Sequence, residues 1–132
     1  MEPIARFSLV ALDCADPEAL ASFYGAICGW EVDDNEDDED DWVVLRSSVG
    51  ATLAFQRVKG HRPPDWPGNV HPQQAHLDFD VADLDVGESQ VLALGARKTE
   101  FQPGQTFRVF LDPAGHPFCL VLDRKAGTTV GR

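Results

Sequence analysis

A short pattern occurs twice in this chain, and the second copy limits the fold more than any other feature. Residues 75–83 read Ala-His-Leu-Asp-Phe-Asp-Val-Ala-Asp, with polar and apolar positions alternating before Asp83. Alternation at period two is the mark of a half-buried strand. Leu77, Phe79 and Val81 are expected to face a helix layer, and His76, Asp78 and Asp80 the opposite way. Residues 10–16, Val-Ala-Leu-Asp-Cys-Ala-Asp, end in the same manner: Asp13 matches Asp80, and Asp16 matches Asp83. Two strands that end alike, each leading into a helix, predict a chain built from two copies of one unit.

The rest of each copy follows in order. Residues 6–14 read as a strand. Asp16-Pro17 opens a helix, because a carboxylate caps the free N–H groups and proline has no N–H to lose at the first helical position. Leu20, Phe23, Tyr24 and Ile27 then recur at helical spacing, and Gly29 ends the helix. Strands are predicted at 30–32, 42–46 and 52–58. In the second copy, Asp83 opens a helix with Leu84, Gly87, Val91 and Leu94 on its inner face, and Gly95 stops it. Gly87 inside that helix should cost roughly 1 kcal/mol against alanine, which marks either close packing or a weak helix. Strands follow at 96–99, 107–111 and 117–122. Between the copies, residues 59–74 hold Pro63, Pro64, Pro67 and Pro72 and cannot be a regular helix or a central strand. His61, Trp66 and His71 mark this connector as a packed cover rather than a tether. The expected fold is α+β: two βαβββ modules, about 5–58 and 75–123, forming one curved, cup-shaped mixed sheet with helices on the convex side. Residues 124–132 are a polar tail, and all 132 residues make a single domain.

Composition narrows the function. A net charge of −11 repels phosphate backbones and anionic lipid, so neither nucleic acid nor a membrane surface is an expected partner. No apolar run approaches the roughly 20 residues of a membrane span. The start, Met1-Glu2-Pro3-Ile4, has no basic region followed by an apolar one, so no signal peptide is expected. Three cysteines, Cys14, Cys28 and Cys119, are too few and odd in number for a disulfide framework and fit a reducing cytoplasm. From Asp33 to Asp41 every residue but Asn35 is acidic, which reads as a solvated loop. A calcium loop is rejected, because Asp38 stands where the turn needs glycine and Val44 where a closing glutamate is needed.

The chain resembles the vicinal oxygen chelate superfamily, which includes glyoxalase I, extradiol dioxygenases, fosfomycin-resistance proteins and bleomycin-binding proteins. The resemblance runs from about residue 7 to 123. It is carried by Asp16-Pro17, Phe23-Tyr24 and Gly29-Trp30-Glu31-Val32, and in the second copy by residues 76–83, 92–96 and the 112–118 turn, Asp-Pro-Ala-Gly-His-Pro-Phe. The chain is also similar to small actinobacterial-type glyoxalase-like domain proteins with His-Arg-Pro-Pro and His-Pro-Gln-Gln in the connector, here 61–64 and 71–74. The resemblance implies the glyoxalase/bleomycin resistance fold and a homodimer. It also implies a divalent metal held by the first and last strands of each half. The repeat maps those positions to Leu9, His76, Ala54 and Cys119. Leu9 and Ala54 cannot ligate, and one His with one Cys falls short of the three or four protein ligands of a stable zinc site.

The expectation is therefore a glyoxalase-like protein that binds a small molecule in the cup without the usual metal or any other cofactor. The alternative is a lyase, isomerase or dioxygenase of the same superfamily, with His76 as base or as ligand to a divalent metal. His76 is the candidate catalytic residue and, if a metal is bound, the metal ligand. Candidate ligand-binding residues are His76, Asp78, Gln56, Trp66, Arg108 and Cys119. Arg46 and Arg57 are further candidates to hold an anionic group. Trp42 and Trp66 can stack on a flat ligand. Cys119, in an apolar strand with nothing adjacent in sequence to lower its pKa, reads as a buried residue rather than a nucleophile.

Overall fold

The computed structural model describes residues 3–33 and 41–123. Most of the acidic stretch and the polar tail lie outside the described residues. The chain divides into two compact units, Met1–His61 and Arg62–Arg132. The proline-rich connector thus belongs, from Arg62 on, to the second unit.

In the first unit, β1 (Leu9–Cys14) leads into α1 (Pro17–Cys28), followed by β2 (Trp42–Val44) and β3 (Thr52–Arg57). Asp16 caps α1 as expected, its side chain accepting from the Ala19 N–H at 3.2 Å, and Gly29 ends the helix with φ +71°. Leu20, Phe23 and Tyr24 are buried, and Ile27 is half-buried. The Tyr24 ring stacks on Phe55 of β3 at 5.8 Å, which fixes the helix on the sheet. The sheet order is β1-β3-β2, with β1 parallel to β3. The strand predicted at 30–32 is reduced to a single bridge, Val32 with Leu45.

In the second unit, β4 (Leu77–Val81) leads into α2 (Leu84–Ala93), then β5 (Arg97–Lys98), β6 (Phe107–Leu111) and β7 (Pro117–Leu122). Asp83 caps α2 through the Val86 N–H at 3.0 Å. Close packing explains Gly87: a Cβ there would meet Leu120 at 3.1 Å and Val81 at 3.2 Å. The sheet order is β4-β7-β6-β5, again with the first strand parallel to the last. Phe110 and Phe118 are fully buried and stack at 5.7 Å.

The two units therefore share one topology, with β5 in the place that the Val32 bridge holds in the first. The α+β class and the duplication are as expected. The strands hydrogen-bond as two open sheets of three and four strands rather than as one continuous sheet.

The turn before β7 is built around Asp112, only 1% exposed. Its carboxylate accepts from the Ala114 N–H at 2.8 Å and the His116 N–H at 3.0 Å. Gly115 sits at φ +90°, and a Cβ there would lie 2.4 Å from the Pro63 Cβ. Gly60 also has a positive φ, +72°, but nothing lies within 4 Å of its missing Cβ. A positive φ alone costs an L-residue roughly 1–2 kcal/mol. Gly115→Ala should therefore lower unfolding stability by clearly more than Gly60→Ala, measured as the shift in urea midpoint. Equal costs would mean that the turn does not pack on Pro63.

Candidate functional site

Parallel pairing of β4 with β7 sets Asp78 opposite Cys119, and antiparallel pairing of β6 with β7 sets Val109 opposite Cys119. Residues directly opposite across a ladder share a face. Asp78, Cys119 and Val109 therefore stand together, with His76 and Phe107 each two residues away along their strands and so on the same side. His76 itself precedes the first residue of β4, so the predicted strand starts later than expected. The His76 Nε2 lies 3.3 Å from Asp78 Oδ1. Donor atoms of His76, Asp78 and Cys119 all lie within 4.8 Å of one another.

A cavity of about 210 Å³ opens on this face. Phe107, Val109, Pro117 and Cys119 line it from the strands, His76 from just before β4, and Pro103 from the preceding turn. The connector contributes Trp66 and Gln73. Trp66 is held against Phe101, ring centroids 5.8 Å apart. Gln102 fixes the turn that carries Pro103: its amide accepts from the Val109 N–H at 2.9 Å and donates to the Val109 carbonyl at 2.9 Å. The Gln73 Oε1 is buried and has no hydrogen-bond partner among the described residues. An unmet buried acceptor costs about 1–3 kcal/mol.

Of the residues singled out in the sequence, His76, Asp78, Cys119 and Trp66 come together here. Arg108 does not. It alternates to the other face of β6 and reaches α2, pairing with Asp85 at 2.9 Å and Glu88 at 3.1 Å. Lys98, hydrogen-bonded to Glu88 at 2.9 Å, is the main reason that this carboxyl lies below its ordinary pKa, with Arg108 adding to it. Gln56 is exposed on β3 of the first unit, opposite Asp13 and Trp42. Arg46 and Arg57 form exposed ion pairs with Glu31 and Asp41. Gln73, Phe107, Val109 and Pro103 were not anticipated, although alternation from Cys119 through its ladder partner Val109 leads to Phe107.

The four positions at which the superfamily's enzymes hold metal do not fit that group here. Leu9 and Ala54 offer no donor atom, and Ala54 is fully buried in β3. In the second unit the donors are His76 and Cys119, with Asp78 added from the same face.

The Cys119 thiol is pushed up to about 11, first by burial and then by the charge and hydrogen bond of Asp78. A raised thiol pKa keeps the proton on sulfur at neutral pH, where it is a poor nucleophile. At pH 8 a thiol at 11 is about one part in a thousand thiolate, against about one in ten at 9. Peptide-resolved alkylation by iodoacetamide at pH 8 should therefore be slow at Cys119 and faster in Asp78→Asn, with burial still holding the midpoint above 9. An unchanged rate in Asp78→Asn would remove the carboxylate from this account.

The comparisons agree with this fold. The family model described as "Glyoxalase-like domain" matches residues 9–121. No curated protein matches. A glyoxalase/bleomycin resistance protein/dioxygenase family enzyme from Burkholderia phytofirmans PsJN superposes with a TM-score of 0.65 at 17% identity, covering 88% of this chain and 97% of its own. A lactoylglutathione lyase from Agrobacterium tumefaciens gives 0.60 at 18%, covering 96% and 100%. A glyoxalase-related enzyme from Fulvimarina pelagi gives 0.63 at 19%, covering 91% and 89%. At such identities the structural likeness speaks for the fold, and the family match speaks for descent. With the duplicated βα-sheet unit, the parallel closing strands and the 9–121 match together, the chain belongs to the glyoxalase-like domain family of the vicinal oxygen chelate superfamily.

Proposed function

We propose that this protein binds a small aromatic molecule in the cavity of its second unit, without the four-position metal set of the superfamily. The observation that carries this reading is the cavity itself. Its walls are aromatic and aliphatic except for His76, Gln73 and the Cys119 thiol, which is the mixture typical of small-ligand sites. An apolar cavity of about 150 Å³ accepts benzene, so about 210 Å³ suits one ring with a few substituents. Trp66 and Phe107 provide ring contacts. A ligand N–H or O–H group would satisfy the buried Gln73 oxygen.

A thermal-shift screen of substituted aromatic compounds and aromatic peptide fragments tests this, run on chelator-dialysed protein and followed by calorimetry. A hit should bind metal-free protein, and Trp66→Ala should weaken it about two- to tenfold, the value of one ring contact. The reading fails if no compound shifts the melting temperature, or if hits bind Trp66→Ala and His76→Ala as well as the parent.

A second reading, an enzyme, is favoured by the 3.3 Å contact of His76 with Asp78 beside the cavity. A carboxylate that orients an imidazole is the arrangement of a general base, suited to taking a proton from a bound substrate. Turnover of a bound compound, abolished in His76→Ala with binding retained, would replace the first reading by this one.

A further inference from the structure

We propose that the cavity of the second unit is a site for a primary arylalkylamine in its ammonium form. The ring lies against Trp66 and Phe107, and the ammonium is held by the Gln73 Oε1 and the Asp78 carboxylate. The proposal rests on the reading of that cavity as a site for a small aromatic molecule, and it names the class of molecule. None of these four residues stands at a position where the superfamily's enzymes hold metal.

An unmet acceptor in an apolar wall is the first support. Gln73 lines the cavity, and its Oε1 is buried with no hydrogen-bond partner among the described residues. That oxygen calls for a donor from outside the chain, and a charged donor makes the stronger bond. Charge is the second. Asp78 shares its face with Cys119 and Phe107, and its side chain is 56% exposed. A carboxylate offers about four acceptor positions. The His76 Nε2, at 3.3 Å, and the Cys119 thiol take two of them, which leaves room for a ligand. The field of this carboxylate reaches the cavity wall, since it adds to burial in raising the Cys119 thiol. The third support is the lack of a competing cation. Among the described lining residues there is no lysine or arginine, and Arg108 is held on the other face by Asp85 and Glu88. The number of donors then selects the end group. A hydroxyl has one hydrogen and can serve Gln73 or Asp78 but not both, and a carboxylate has none to give. An ammonium has three, enough for both acceptors with one left for water at the open side, so its charge is not stripped of solvent. Trp66, held against Phe101 at 5.8 Å, adds an aromatic face, and such faces attract cations.

Calorimetry on the full-length chain at neutral pH, with phenethylamine, phenethyl alcohol and hydrocinnamate, tests the proposal, because these compounds share a ring and differ in the end group. The amine is expected to bind about tenfold tighter than the alcohol, the difference between a charged and a neutral hydrogen bond. The carboxylate should bind least. Rising salt should weaken the amine and leave the alcohol unchanged. Gln73→Leu should weaken the amine about tenfold or more. Asp78→Asn, at an exposed position, should weaken it about two- to fivefold, the value of a solvent-screened ion pair. Phenethyltrimethylammonium keeps the charge but has no N–H, and it should bind less tightly than the amine; equal binding would overturn the hydrogen-bonded ammonium. An amine that binds Gln73→Leu and Asp78→Asn as tightly as the parent would be held elsewhere on the acidic surface, and this too would overturn the proposal. The alcohol decides between the two claims. If it binds as tightly as the amine and both are weakened in Trp66→Ala, the ammonium is overturned and the aromatic site stands. If none of the compounds binds, both fall.

Discussion

The site depends on one pairing, the parallel ladder between the first and last strands of the second unit. Parallel neighbours cannot be joined by a tight turn, so the chain between β4 and β7 has to travel, here through α2, β5 and β6. That detour places the last strand in the middle of the sheet, where β6 and β4 grip it from both sides. The register then sets Asp78 against Cys119. A slip of one residue would turn Cys119 toward α2 and bring an apolar neighbour to the cavity face. The Asp112 turn sits immediately before β7 and limits such a slip, because its carboxylate holds the N–H groups of Ala114 and His116.

The same ladder recurs in the first unit, where β1 runs parallel to β3 with Ala11 opposite Ala54. These are the counterparts of Asp78 and Cys119 in the repeat. The backbone relation has been kept and the side chains have not. A buried ionisable group is costly unless paired, and the fully buried Ala54 imposes no such cost. The first unit therefore holds no ionisable pair at these places, with Ala54 fully buried and Ala11 exposed, while the second keeps polar groups beside a cavity. Duplication of a fold is thus compatible with chemistry in one copy only.

Local features were legible in the sequence. Both helices start one residue after the expected aspartate caps, and β6 and β7 have the expected limits, because caps and turn residues act over a few positions. The assembly of the site was only partly legible. Alternation put His76 and Asp78 on one face, but their meeting with Cys119 depends on a parallel register between strands about forty positions apart, which no local pattern encodes. Arg108 was misleading for a related reason. Phe107, Val109, Phe110 and Leu111 are all apolar, so β6 has no polar face to reveal that Arg108 turns toward Asp85 and Glu88. Gln73 lies among prolines with no period, so its direction could not be inferred. The strand expected at 30–32 shrank to one bridge, since Val32 finds a single partner, Leu45, before the acidic run begins.

Electrostatics narrows what such a cavity can admit. Among the described residues that line it there is no lysine or arginine. Arg108, the basic residue on β6, is bound to two carboxylates on α2. Beside the cavity stand a carboxylate at Asp78 and a thiol that this carboxylate helps keep protonated. An anionic group at 4 Å from Asp78 would meet a repulsion of about 4 kcal/mol at the effective dielectric of a protein surface, and the net charge of −11 adds to it at longer range. That is a penalty of roughly a thousandfold in affinity. A hydrogen-bond donor or a cation meets attraction at the same place. The buried Gln73 oxygen adds an acceptor to the same wall. The electrostatic logic therefore separates this cavity from one built for carboxylate- or phosphate-bearing compounds and favours neutral or cationic aromatic molecules, because the charge that stands beside it, at Asp78, is negative and the Gln73 oxygen is an unmet acceptor.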